Sequence, residues 1–249
     1  MRLLHRLAEL THSGERAVLF TVVEGEGVGA KALVVEGGET VGDGVPEEAL
    51  GQFDELVRRG RNRLLDVDGV KVFAEWYGPP PRLFVYGAVD TAEALCRAAK
   101  LIGWTAIVGD ARAKFLTAER IPSADQLIAK WPEEALAEIG PDHQTAIVVL
   151  THDDKFDEPA LKTALETEAF YIGALGSRRN QERRRERLLE AGVAEEAFER
   201  IMGPCGLDVG ADTQEETALA ILAEILAVRA GRSGGPLREA KQRIHVEVE

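Results

Sequence analysis

The stretch Arg82–Asp110 reads RLFVYGAVDTAEALCRAAKLIGWTAIVGD. An apolar run, Arg82–Tyr86, ends at Gly87. The pattern then turns helical to about Leu101, and Trp104–Asp110 is apolar again. Strand, glycine turn, helix and strand in this order open a nucleotide-binding βαβ unit. Asp110 falls near the roughly 20-residue offset at which an acidic residue grips a ribose.

The alternation continues downstream. Asp125–Trp131 reads as a short strand, and Pro132 opens a helix through Ala137. Thr145–Leu150 is apolar throughout, the pattern of a parallel strand covered on both faces, and runs into Thr151-His152-Asp153-Asp154. Asp157 or Glu158 is expected to start the next helix. Ala169–Ile172 is a further strand, followed by Gly173-Ala174-Leu175-Gly176-Ser177. Ser177 is suited to cap a helix that reaches Ala191 and stops at Gly192. Thr213 and Glu216 form a capping box before a long last helix. Such an order folds as an α/β domain with a doubly wound parallel sheet. Right-handed crossovers bring the strand C-termini, and the site with them, to one edge.

Upstream the pattern differs. Residues 2–10 place Leu3, Leu7 and Leu10 on one helical face. Ala17–Val23 and Lys31–Val35 read as strands, with a turn into Val41. A helix is expected from Pro46 to about Arg59. Arg63–Val67 and Val70–Trp76 flank Asp68-Gly69, a strong two-residue hairpin signal. Residues 1–77 therefore form a smaller α+β domain with an antiparallel sheet. Gly78-Pro79-Pro80-Pro81 is the linker, since consecutive prolines remove backbone donors and stiffen the chain. Residues 82–249 form the second domain with its C-terminal helix and tail.

A formal net charge of -13 argues against nucleic acid as a partner, which needs a basic face. No apolar run approaches the roughly 20 residues of a membrane span, and a cytoplasmic address is expected. Cys96 and Cys205 supply neither a disulfide framework nor a metal pair, and both read as buried reduced thiols. A homodimer is left open.

Five segments carry candidate site residues. At Gly87-Ala88-Val89-Asp90, Val89 stands where a second glycine would let backbone approach a pyrophosphate. Asp90 and Glu93 read as an internal cap. Asp110 with Arg112 reads as a ribose or phosphate contact, or equally as a surface ion pair. Thr151, His152 and Asp153 offer a base, a ligand or a cap. Gly173, Gly176, Ser177, Arg178 and Arg179 combine a glycine loop, a helix N-terminus and two cations, which suits an anion. Arg183, Arg184, Arg185 and Arg187 read instead as a solvated face balanced by Glu182, Glu186 and Glu190. The loop Pro204–Ala211, with Asp208, could close over the site or merely connect.

Tyr171–Arg179, Leu150–Asp153 and Gly206–Ala211 together resemble the XdhC/CoxI family of molybdoenzyme accessory factors. Trp104–Arg112 is similar to the family's second strand. The resemblance covers Arg82 to about Gly231 and extends more weakly over residues 17–36. It implies a Rossmann-like domain behind a small N-terminal domain. It further implies an accessory protein, with no catalytic residue and no metal ligand of its own. Such a protein binds molybdenum cofactor (molybdopterin), protects it during sulfuration, and passes it to a xanthine-dehydrogenase-type apoenzyme. A cysteine desulfurase and the apoenzyme are the implied partners. The family's Ser-Gly-Gly-Cys is replaced here by Val41-Gly42-Asp43-Gly44-Val45-Pro46-Glu47, and its Gly-Ala-Gly-His turn by Gly87-Ala88-Val89-Asp90, so the chain reads as a divergent member. Two other readings remain: an NAD(P)-dependent oxidoreductase using His152 as acid or base, and a non-catalytic scaffold for protein contacts.

Overall fold

The computed structural model describes residues 2–151 and 153–241, with the backbone alone at 2, 11 and 12. It divides into two compact units. One comprises Met1–Pro79 and the segment from Gly235; the other is Pro80–Gly234.

The first unit begins with α1 (Arg2–Ser13), β1 (Ala17–Glu24), β2 (Lys31–Val35) and β3 (Thr40–Asp43). Then come α2 (Glu47–Leu50), α3 (Phe53–Arg59), β4 (Arg63–Val67) and β5 (Val70–Tyr77). The five strands form an antiparallel sheet in the order β3-β2-β1-β5-β4. Asp68 and Gly69 both take positive φ, 52° and 81°, as a two-residue hairpin requires. Alternate residues of β1 serve the two faces. Val18, Phe20 and Val22 pack with Leu56 and Val57 of α3, while Ala17 and Leu19 pack with Leu10 of α1. The single helix expected from Pro46 to Arg59 is broken into two. Gly51 ends the first, and Gln52 supplies no side-chain cap to the second.

The second unit holds β6 (Arg82–Tyr86), α4 (Asp90–Leu101), β7 (Thr105–Gly109), β8 (Gln126–Ile128) and α5 (Pro132–Ile139). It continues with β9 (Thr145–Val149), α6 (Asp154–Leu165), β10 (Tyr171–Ala174) and α7 (Arg178–Glu190). Finally come α8 (Glu195–Phe198), β11 (Ile201–Met202) and α9 (Gln214–Arg229). The strand order is β11-β10-β9-β6-β7-β8 and every neighbouring pair is parallel. This is a doubly wound Rossmann sheet whose order reverses between β6 and β9. The continuous apolar runs follow from burial on both faces. Leu83, Val85, Val108 and Val148 join Leu95 of α4 and Ile221 of α9; Phe84, Ile107, Ile147 and Val149 join Leu136, Leu161 and Leu188 of α5, α6 and α7.

Several boundaries differ from expectation. Of the Asp125–Trp131 stretch, Gln126–Ile128 forms the strand beside β7; Asp125 bonds Ala106 of β7 through its backbone N–H and its carboxylate, and the Lys130 N–H turns back to the Ile128 carbonyl. α6 starts at Asp154 rather than Asp157 or Glu158. Asp153 caps it by accepting from the Lys155 N–H, and Pro159 is carried inside the helix at the loss of one backbone bond. β10 extends through Gly173 and Ala174, so Gly173 belongs to the strand and not to the loop after it. A Cβ there would lie 2.6 Å from the Tyr171 ring. β11 was missed; two residues are too few to show a period.

Candidate functional site

At the reversal point the turns after β6 and β9 touch. Gly87 has φ of 121°, and a Cβ on it would stand 2.9 Å from Thr151 Cγ2 and 3.0 Å from the Thr151 nitrogen. Glycine is thus required both for the backbone conformation and for the close approach.

Two donors of this first turn are already used. The Ala88 N–H donates to Asp110 Oδ2 at 2.9 Å, and the Val89 N–H donates to the Gly87 carbonyl at 3.0 Å. Asp110 is 1% exposed. Its other contacts come from Arg112: the backbone N–H at 2.8 Å, Nε at 2.9 Å and one terminal nitrogen at 2.8 Å. Burial pushes this carboxyl up, but Arg112 and the two backbone donors outweigh it and hold it below the usual carboxylate range. Asp110 is therefore neither a surface partner nor an open ribose acceptor. It locks the turn. The expected cap at Asp90 and Glu93 also fails. Val89 is the N-cap position without a side-chain bond, Asp90 pairs with Arg120, and Glu93 accepts from the Ser123 N–H and Oγ.

Next to it lies an aromatic and cationic shelf. Arg112 stacks at 5.0 Å from the Phe115 ring centre and 5.4 Å from that of Phe156. Trp131 and Phe156 are 5.2 Å apart, and the Lys155 ammonium sits 5.0 Å from the Trp131 ring. Trp131 remains 42% exposed. Sequence reasoning missed Trp131 and Phe156, which lie on separate elements and meet only at the sheet edge.

A cavity of about 220 Å³ opens between α6 and α7. Thr151, Asp154, Asp157, Leu175, Asn180, Arg183, Arg184 and Arg187 line it. Arg184 is 4% exposed and donates to Gln181 Oε1 at 2.6 Å, Asp157 Oδ2 at 3.2 Å and the Leu175 carbonyl at 3.0 Å. Its Nε is buried with no hydrogen-bond partner. Asp157 also takes a short hydrogen bond from Thr151 Oγ1. Burial pushes Asp157 above the ordinary carboxylate range, and Thr151 and Arg184 only partly oppose it. Arg187 pairs with Asp154 at 2.6 Å and with Glu158.

The expectation of a solvated arginine face is corrected here. Arg184 is buried, and Arg187 answers carboxylates of α6 rather than glutamates of its own helix. Asn180, Arg183, Arg184 and Arg187 recur at helical spacing on one stripe, and that spacing is the signal that could have found them. Conversely, Arg178 and Arg179 are exposed and stand outside the cavity lining. Ser177 caps α7 as expected, accepting from the Asn180 N–H at 3.2 Å. Gly176, with φ of 144°, lets the chain pass Asn180 and Arg184 closely. Asp153 is the cap of α6, and Asp208 is exposed and outside the lining. His152 lies outside the described residues.

The loop after β11 is fastened down. The Cys205 N–H donates to the Ala174 carbonyl, and the Gly206 N–H donates to Glu224, which also accepts from the Tyr171 hydroxyl. Burial pushes the Cys96 and Cys205 thiols up to about 12 each, which leaves them unreactive near neutrality. Among the described residues no cluster of His, Cys, Asp and Glu could hold a metal, and no helix is long and apolar enough to cross a membrane.

Comparison with known proteins bears on this edge. The family described as the XdhC Rossmann domain matches residues 83–225, more than half of the chain. The chain is 34% identical over 169 residues to "Uncharacterized protein YqeB" of Escherichia coli (strain K12), covering 67% of this chain and 30% of that protein. It is 34% identical over 158 residues to a probable xanthine dehydrogenase subunit of Bacillus subtilis (strain 168), covering 64% and 46%. It is 31% identical over 157 residues to "Molybdenum cofactor insertion chaperone PaoD" of Escherichia coli (strain K12), covering 63% and 43%. The matches thus span 30% to 46% of the length of these relatives. A crystal structure of a xanthine dehydrogenase (BH1974) from Bacillus halodurans shares the fold, with a TM-score of 0.69 and 23% identity over 96% of this chain and 66% of that one.

Proposed function

The chain belongs to the family defined by the XdhC Rossmann domain, and from that premise we propose that it is an accessory protein in the maturation of a xanthine-dehydrogenase-type molybdoenzyme. It binds molybdenum cofactor along the C-terminal edge of the parallel sheet and delivers it to the apoenzyme, with a cysteine desulfurase as a second partner. The relatives named as a molybdenum cofactor insertion chaperone and as a probable xanthine dehydrogenase component support this role.

The observation that carries the reading is the redistribution of binding groups at the reversal point. The turn that would hold a dinucleotide's pyrophosphate spends its N–H groups on Asp110 and Gly87. The neighbouring turns carry flat and cationic groups instead: Trp131, Phe156, Arg112 and Lys155, then the arginines of α7. That donor set fits a planar, anionic pterin. Arg112 and Trp131 would orient the ring system, and buried Thr151 with half-buried Leu175 would limit water at the cavity. The cofactor, when bound, supplies the molybdenum chemistry that the target enzyme later uses.

The reading is tested by purifying the protein from cells that make the cofactor and analysing released pterins by mass spectrometry. A pterin should co-purify, and a deletion strain should lose hydroxylase activity while keeping apoenzyme. Protein that carries no pterin and a deletion strain with full activity would rule the role out. The same purified protein should show no change in NADH fluorescence up to millimolar concentration.

A further inference from the structure

In the usual arrangement of this fold the phosphate sits on the first turn, after the first strand. Here Ala88 and Val89 have committed their N–H groups, and Asp90 adds negative charge at the first position of α4. An anion there would find those two donors taken. The cavity between α6 and α7 has the opposite character. Three guanidinium groups line it, together with the Asn180 amide; Thr151 also lines it, with its hydroxyl committed to Asp157. Two carboxylates also face it, Asp157 paired with Arg184 and Asp154 with Arg187, which Glu158 shares, so Arg183 is the cation in excess. Arg183 is exposed on the same stripe, and its side chain has no hydrogen bond or ion pair among the described residues. Arg184 is buried, held by three acceptors, and still has an Nε without one. The starts of α6 and α7 both border the cavity, so the positive ends of two helix dipoles reinforce the arginines.

We propose that this cavity is the protein's phosphate site, moved from the first turn to the crossovers after β9 and β10, and that it takes the phosphate monoester end of a larger ligand. At about 220 Å³ the cavity has room for a phosphate group, and because it opens to solvent the rest of a larger ligand can extend out of it. Arg183 and Arg187 contact the anion, while Arg184, pinned by Asp157 and Leu175, positions the stripe. The anion site rests on the cavity itself; its assignment to the cofactor's phosphate rests on the function proposed above.

The test titrates inorganic phosphate into the full-length protein by calorimetry, with chloride at matched ionic strength as the reference. Saturable phosphate binding is expected, weakened at least tenfold by Arg183→Ala and by Arg187→Ala. Arg185→Ala, which removes an exposed cation paired with Glu195 outside the lining, should leave it unchanged. Equal weakening by all three variants, or no binding above the chloride reference, overturns the site. AMP and a pterin phosphate then compete against phosphate and distinguish a nucleotide's monoester from a pterin's. Displacement by either supports the site, and displacement by neither overturns it. Cofactor that binds without displacing phosphate, and is indifferent to Arg183→Ala, overturns the assignment but leaves the accessory role standing. Phosphate held through Arg183 with no cofactor bound does the reverse.

Discussion

Asp157 is a buried carboxylate with two partners, Thr151 and Arg184, and burial raises its proton affinity despite them. The folded protein therefore binds this proton more tightly than the unfolded chain does. Its contribution to stability is fully present below the ordinary carboxylate value of about 3.9 and is lost as pH rises through the higher folded value. Urea denaturation of wild type and Asp157→Asn across pH 4–7 should show the wild-type advantage shrinking as pH rises; an advantage that grows would contradict the burial argument. Asp157→Ala, which strands Arg184, is expected to cost about 3–5 kcal/mol in the same measurement. Neither residue could be recognised alone. The sequence shows a carboxylate on one helix and an arginine in a run of arginines on another, and only packing selects Arg184 from its neighbours. Asp110 illustrates the same limit. Its position was legible from spacing, but its role was not, because spacing says nothing of the Arg112 and Ala88 donors that saturate it.

Helix starts were legible where a capping side chain marks them. The Thr213–Glu216 box is formed as expected, with the Glu216 N–H donating to Thr213 Oγ1 at 3.1 Å and the Thr213 N–H to Glu216 at 2.9 Å. Thr213→Ala should destabilise the protein by about 1 kcal/mol, seen as a lower urea midpoint with an unchanged slope. An unchanged midpoint would mean that the N–H groups find other acceptors. α6 starts at Asp154 rather than at the expected Asp157 or Glu158, and it tolerates the Pro159 ring inside. At α7 the cap is formed as expected, but the residues that line the cavity are not those nearest the cap. Arg178 and Arg179 are nearest the loop in sequence, whereas the inward face begins at Asn180 and returns at Arg184. A helix of 3.6 residues per turn sends residues just past the cap in different directions, so proximity in sequence is a poor guide to proximity in space.

On the scale of the molecule, each unit closes its own core. Both large clusters of the parallel sheet lie between Leu83 and Val228, and the clusters of the antiparallel sheet lie before Pro79. A fragment spanning residues 80–234 should accordingly give a single cooperative urea transition by circular dichroism; a gradual, non-cooperative loss of signal would show that its core depends on the rest of the chain. Apolar periodicity, glycine turns and the proline boundary by themselves determined the two-part division, the α/β alternation and the edge where the strands end. Those features depend on neighbours a few residues away, and backbone sterics and amphipathic period impose them locally. The tertiary structure alone decided which groups on that edge face one another. It closed the Gly87 turn with Asp110 and Thr151, and it assembled a cavity from α6 and α7. Contacts between residues far apart in sequence depend on how the helices pack across the sheet, and no local pattern encodes that.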